Sequence, residues 1–346
     1  MIAPPRGTEL GLSFHCSRVG PRTHPASLVT KALLHVGYTD RVMYHVPVLL
    51  KETLEALAIR PDGRYLDGTL GGGGHSAAIL SGLGPEGRLF GVDRDADARD
   101  AATRRIGSDA RFQAIAGNYA DVLETWAPAS LDGILLDIGV SSHQLDTADR
   151  GFSFQQDGPL DMRMDPTQGP SAADLLATLG ERELAEILWT LGEERRGRAI
   201  ARAIVSERER SPLLRTRQLA ELVARHVKGR PGHHPATRTF QALRIAVNDE
   251  LGALERGLRA AIRALRPGGR LAVITFHSLE DRIVKHAFRA ESSSCVCPPR
   301  LPVCMCQASP SLTLLSRQGQ VATEEEARLN PRARSARLRT ASRLVS

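Results

Sequence analysis

Apolar residues along this chain follow two different rhythms. Short, mainly apolar runs occur at 65–66, 89–92, 112–115, 134–136 and 271–276. Runs of this kind predict strands buried on both faces of a parallel sheet. Helical spacing fills the intervals, as with Leu50, Leu54, Leu57 and Ala58 ahead of the first strand. The alternation predicts an open α/β sheet with covering helices.

The interval between the fourth and fifth strands is too long for one crossover helix. Leu184, Ile187, Leu188 and Leu191 predict a helix over 181–191. Ile200, Ile204 and Val205 predict another near 193–208, and Leu219, Leu222 and Val223 a third after the cap Thr216. A crossover helix then runs through Leu243, Val247, Leu251, Leu254, Leu258, Ile262 and Leu265 and stops at Pro267-Gly268-Gly269. The organisation expected is a sheet domain over 43–145 and 240–320, a helical insertion over 146–239 that recognises substrate, and a basic tail over 321–346. Residues 1–42 carry no sustained period and read as a flexible extension, a transit peptide, or codons upstream of a true start at Met43; upstream codons are the preferred reading.

Composition narrows the function classes. With 42% apolar and 25% charged residues in 346, the chain is globular. No uncharged apolar run approaches the length of a membrane span, and no secretory signal is evident. Five cysteines are too few for a disulfide scaffold, which favours a cytoplasmic location. The net charge of +7 is concentrated at the end: after Glu326 come Arg328, Arg332, Arg334, Arg337, Arg339 and Arg343, with no acid among them. Such a stretch suits phosphates without sequence preference. Arg225, Lys228 and Arg230 form a second basic patch.

The chemistry concentrates in Asp67-Gly68-Thr69-Leu70-Gly71-Gly72-Gly73-Gly74-His75, between the first strand and a helix. Glycines allow close backbone approach to a ligand, and a helix N-terminus favours negative charge. No Lys-Ser/Thr pair closes the loop, so it is not a P-loop. Asp93 ends the second strand, where an acid can hold ribose hydroxyls. Loop and acid fit either NAD or S-adenosylmethionine. Asp67 ahead of the glycines, and Arg266-Pro267-Gly268-Gly269 ahead of the fifth strand, favour S-adenosylmethionine.

Longer motifs are more specific. They include Asp137-Ile138-Gly139-Val140-Ser141-Ser142-His143-Gln144, Arg150-Gly151-Phe152-Ser153-Phe154, Asp161-Met162-Arg163, Thr237-Arg238-Thr239-Phe240-Gln241, Phe276-His277-Ser278-Leu279-Glu280-Asp281-Arg282 and Asn330-Pro331-Arg332-Ala333-Arg334. From about residue 45 to 338 the chain resembles the RsmH (MraW) family. The resemblance implies a Rossmann-like class I methyltransferase sheet with an inserted helical domain. It also implies N4-methylation of a cytidine in 16S (small-subunit) ribosomal RNA, with S-adenosylmethionine as cofactor. Gly73, Gly74 and His75 would contact the cofactor, Asp93 its ribose and Tyr119 its adenine, and Asp137 and Gln144 would complete the pocket. The partner would be small-subunit ribosomal RNA within a ribosomal particle; no membrane is expected, and a second copy of the chain is a further candidate.

A cytosine amine is a weak nucleophile, so hydrogen-bond acceptors around it help. The Asp/Asn-Pro-Pro-aromatic turn of many amino methyltransferases is absent after the fourth strand. Asp137, Ser141 and Ser142 are the local candidates for catalysis. Phe152 and Phe154 are candidates to stack on a flipped base, and Arg163, His277, Arg282 and Arg334 to contact RNA. Hydrophobic packing, salt bridges and solvated surface are the ordinary alternatives for these six. No catalytic metal is assigned. Cys295, Cys297, Cys304 and Cys306 are spaced as two Cys-x-Cys pairs, which could hold a tetrahedral metal or form a reduced thiol loop. A nicotinamide oxidoreductase and a non-catalytic RNA-binding assembly factor are the competing readings.

Overall fold

A computed structural model describes residues 47–228, 232, 234–295, 297, 305–306 and 308–345. The extension over 1–42, Arg230 of the second basic patch and Cys304 lie outside the described residues.

The five apolar runs form strands: β1 (Arg64–Asp67), β2 (Arg88–Asp93), β3 (Phe112–Ala116), β4 (Leu131–Asp137) and β5 (Leu265–Thr275). They pair in parallel in the order β3-β2-β1-β4-β5. Helix α1 (Leu50–Leu57) precedes β1; α2 (Gly74–Gly82), α3 (Ala96–Ile106) and α4 (Tyr119–Thr125) form the crossovers that follow. Because β1 and β4 are neighbours with crossovers leaving in opposite directions, their carboxyl ends flank a crevice, where open α/β sheets bind ligands. The sheet is apolar on both faces, with Leu66, Leu89, Val92, Ile134, Leu135, Leu136, Val273 and Ile274 fully or almost fully buried.

The remainder of the sheet departs from the sequence reading. Residues 337–343, expected to lie in a basic tail, form strand β8 (Arg337–Arg343), antiparallel to β5. Two strands precede it in the chain, β6 (Leu312–Leu314) and β7 (Gln320–Val321), and both pair with its far edge. Leu338, Thr340 and Ala341 are buried, and Arg339 is hidden by bidentate contact with Asp281 at 2.6 and 3.0 Å. A strand needs alternation rather than overall apolarity, and here paired arginines occupy positions that composition assigns to solvent.

Beyond β4 come the short α5 (Ser142–Asp146) and the helices α6 (Ala172–Thr178), α7 (Glu181–Thr190), α8 (Gly197–Arg208) and α9 (Thr216–His226). They bury a second core containing Leu160, Met162, Leu184, Leu188, Ile200, Ile204, Leu219 and Val223. The single crossover helix expected from the sequence is two, α10 (Thr237–Asn248) and α11 (Glu250–Ala264). Asp249 between them is left-handed at φ 48°. Asn248 ends α10 because its side chain serves the insertion: it donates to the Met162 carbonyl at 2.7 Å and accepts from the Met164 amide at 2.8 Å. Helix α12 (Ser278–Glu291) follows β5, and the short α13 (Glu324–Leu329) precedes β8.

Candidate active site

The loop between β1 and α2 is shaped by two left-handed glycines, Gly71 at φ 49° and Gly73 at φ 74°. Gly73 packs on α3, where an added Cβ would sit 2.9 Å from that of Ala102. Buried Asp67 holds the loop from below, accepting from Ser76 Oγ at 2.7 Å and from the Thr69 amide at 3.2 Å. Asp93 holds it from the side: one oxygen accepts from the Gly71 amide and the other from the Asp95 amide, both at 2.9 Å.

These elements frame a cavity of about 600 Å³ at the carboxyl ends of β1, β2 and β4. Of the residues expected in the cofactor pocket, Gly74, His75, Asp93, Tyr119, Asp137 and Gln144 line it. Ser141 and Ser142 line it as well. Gly73 does not; its part is to let the loop turn against α3. The Tyr119 ring lies over Gly257, where a Cβ would come within 2.4 Å of it. Burial pushes its hydroxyl pKa upward, so it stays protonated.

Asp137 ends β4. Its amide donates to Thr69 Oγ1 at 2.6 Å, tying β4 to the glycine loop. Oδ2 lies 3.7 Å from His75 Nδ1, while Oδ1 is buried without a hydrogen-bond partner. Burial, with the nearby carboxylates of Asp67 and Glu280, pushes the Asp137 carboxyl up to about 8. Burial pushes His75 down to about 4. His75 Nε2 is 3.1 Å from the Val48 carbonyl, which can only accept, so the proton is on Nε2 and Nδ1 faces Asp137 with a lone pair.

Ser141 and Gln144 are engaged with each other. Ser141 caps α5 by accepting from the Gln144 amide at 3.2 Å, and the Gln144 side-chain oxygen accepts from the Ser141 amide at 3.0 Å. Gln144 also donates to Asp95 at 2.8 Å, and Arg150 donates to the same Asp95 oxygen at 2.8 Å. Asp95 was not foreseen, although it stands two positions after Asp93 and ahead of a helix, where an acidic N-cap is common. A largely buried pair, half-buried Arg244 with buried Glu250 at 2.8 and 2.9 Å, forms another wall that the sequence reading did not single out.

The six residues expected to contact RNA stand in different settings. Phe152 is buried in the core of the insertion, and Phe154 packs edge-on against Phe240 at 4.9 Å and tilted on His234 at 4.5 Å; neither lines the cavity. An apolar ring near a polar loop gives the same sequence signal whether it packs inward or faces a ligand. Arg163 is held by Asp161 at 2.7 and 2.8 Å, and Arg282 pairs with Glu193 at 3.2 Å. His277 caps α12, with Nε2 2.8 Å from Glu280 Oε1. Arg334 is exposed, just after Arg332, which lines the cavity and bonds Asp146 at 2.9 Å. Phe276, just after β5, is the phenylalanine that lines the cavity, beside Gly139, whose φ of 126° brings the backbone to within a Cβ's reach of it.

The sheet order, the antiparallel strand beside β5 and the glycine loop at the crevice define a Rossmann-like class I methyltransferase. The model of the MraW methylase family matches residues 42–344, and the chain belongs to that family. It is 55% identical over 308 residues to the "Ribosomal RNA small subunit methyltransferase H" of Trichlorobacter lovleyi, covering 87% of this chain and 98% of the relative. Against the protein of the same name from Heliobacterium modesticaldum it is 51% identical over 311 residues, covering 88% and 99%. Among solved structures, TrmN from Thermus thermophilus aligns with a TM-score of 0.40 at 14% identity, over 91% of this chain and 52% of that one.

Proposed function

We propose that this protein transfers a methyl group from S-adenosylmethionine to the exocyclic N4 of a cytidine in 16S ribosomal RNA, acting in the cytoplasm on a small-subunit particle. The single observation that carries the mechanism is the Asp137 carboxylate. It stands at the crevice with one buried oxygen unpartnered, next to a glycine loop and a ribose-type acid. The substrate is supported by the names of the two relatives, both small-subunit ribosomal RNA methyltransferases.

The cavity fits the cofactor. Asp93 retains acceptor capacity beyond its two backbone bonds, so it can take ribose hydroxyls. The backbone at Gly71, Gly72 and Gly74 allows close approach, and the Tyr119 ring offers a face to the adenine. When bound, S-adenosylmethionine supplies a methyl carbon already activated by a sulfonium. The chain's own task is to place the amine in line with it and to accept a proton. Asp137 is the acceptor at the right edge of the sheet, and neutral His75 beside it adds no competing positive charge. Ser142 is a secondary acceptor. Ser141 and Gln144 hold the shape of the turn rather than the base. Phe276 is the ring placed to stack on the base, a role expected of Phe152 and Phe154. Arg332 lines the cavity, where phosphates would pass, and exposed Arg334 follows it two positions later in the chain.

Radiolabelled methyl transfer to small subunits lacking the modification, followed by nucleoside analysis, tests this reading. N4-methylcytidine is the expected product; label in another base, or in none, rejects it.

A further inference from the structure

Helix α12 and strand β6 are joined by a long segment closed at its neck, where the Ser311 amide donates to the Glu291 carbonyl at 2.8 Å and the Ser311 hydroxyl bonds the Glu291 carboxylate. Beyond the neck, the described residues show no helix or strand, and Met305 is largely exposed. Long connections without a core of their own need another source of order. Within this one, the sulfur atoms of Cys295, Cys297 and Cys306 all lie within 4.8 Å of one another. Cys306 Sγ is 3.7 Å from Cys295 Sγ. That is far beyond the sulfur–sulfur bond of a disulfide, about 2.0 Å. It is instead close to the edge of a tetrahedron of thiolates around zinc: with Zn–S near 2.3 Å, adjacent sulfurs stand about 3.8 Å apart.

We propose that Cys295, Cys297 and Cys306 bind one Zn²⁺, each through its thiolate, in a structural site that fixes the connection between α12 and β6. Soft sulfur donors in this arrangement select zinc over calcium or magnesium. The three thiolates occupy three corners of the tetrahedron and leave the fourth to one further donor. Cys295 and Cys297 meet Cys306 across the loop, so the metal replaces a hydrophobic core as the cross-link. None of the three cysteines lines the cavity, so the metal has no part in methyl transfer.

The test uses the full chain purified under reducing conditions without chelators. Elemental analysis should find about one zinc per chain, and replacement by Co²⁺ should give thiolate-to-cobalt charge-transfer absorption. The variant with Cys295→Ser, Cys297→Ser and Cys306→Ser should hold less than about a tenth of the metal, while Cys16→Ser keeps all of it. Cobalt absorption on the unaltered protein makes the result independent of how well the triple variant folds. Protein that takes up no stoichiometric metal even after reconstitution, or a triple variant that keeps its zinc, overturns the proposal.

Discussion

Asp137 Oδ2 lies 3.7 Å from His75 Nδ1, and burial drives the two groups in opposite directions, the carboxyl up to about 8 and the imidazole down to about 4. Near neutral pH both are uncharged in the ligand-free protein. A cationic cofactor arriving beside them favours the ionised carboxylate.

The first prediction follows from linkage. An unfolded chain ionises Asp137 near pH 4, whereas the folded protein keeps that proton to about 8, so stability falls as pH rises between those values. His75 acts with the opposite sign between about 4 and its ordinary 6.5, because the unfolded chain then holds the extra proton. Between about pH 6.5 and 8 Asp137 contributes a loss of about 1–2 kcal/mol in the ligand-free protein, and the buried carboxyls of Asp67 and Asp93, also pushed up by burial, act with the same sign. Urea unfolding at both pH values measures it. Asp137→Asn should flatten that slope; an unchanged slope contradicts the assignment.

Cofactor binding should show the same group from the other side. Affinity should weaken as pH drops below about 8, and binding near pH 7 should release a proton. Calorimetry in two buffers of different ionisation enthalpy detects the release. Proton uptake, or none, argues against Asp137 as the group next to the cofactor's charge.

Asp93→Asn should weaken cofactor binding by about 1–3 kcal/mol, the range for a lost hydrogen bond to a charged group. The substitution keeps the shape while disturbing the bonds from Gly71 and Asp95. Unchanged affinity by calorimetry would reject the ribose role.

Asp95 is nearly fully buried and depends on Arg150 and Gln144. Arg150→Met should cost about 3–5 kcal/mol by leaving an uncompensated buried charge. Arg282→Met, which breaks an exposed pair with Glu193, should cost under about 1 kcal/mol. Equal losses in chemical denaturation would show that burial is not what distinguishes the two pairs.

Much of this was legible in the chain. Strands β1, β2, β4 and β5 stood out because their apolar runs are buried, whereas β3, expected to be buried, is an edge strand with Gln113, Ala114 and Ala116 exposed; the glycine loop and Asp93 stood out because their spacing has few other uses. Strand β8 was hidden because Arg337 and Arg339 read as a basic tail, and only the fold brings Asp281 to Arg339. The break at Asp249 was hidden because the apolar spacing of α10 continues into α11; it depends on Asn248 reaching back to Met162 and Met164. Phe152 and Phe154 carried the signal of an aromatic pair near polar residues, which does not record the direction in which the rings point. Phe276 closed an apolar run and gave no sign of its own.

Single-turnover methyl transfer to small subunits at saturating cofactor, comparing Asp137→Asn with the unaltered protein, tests the central claim most directly. A proton acceptor for the amine predicts a rate lower by a factor of about 10²–10⁴, with N4-methylcytidine as the product in the unaltered protein. Equal rates at saturating cofactor would contradict it and leave Asp137 a cofactor ligand only.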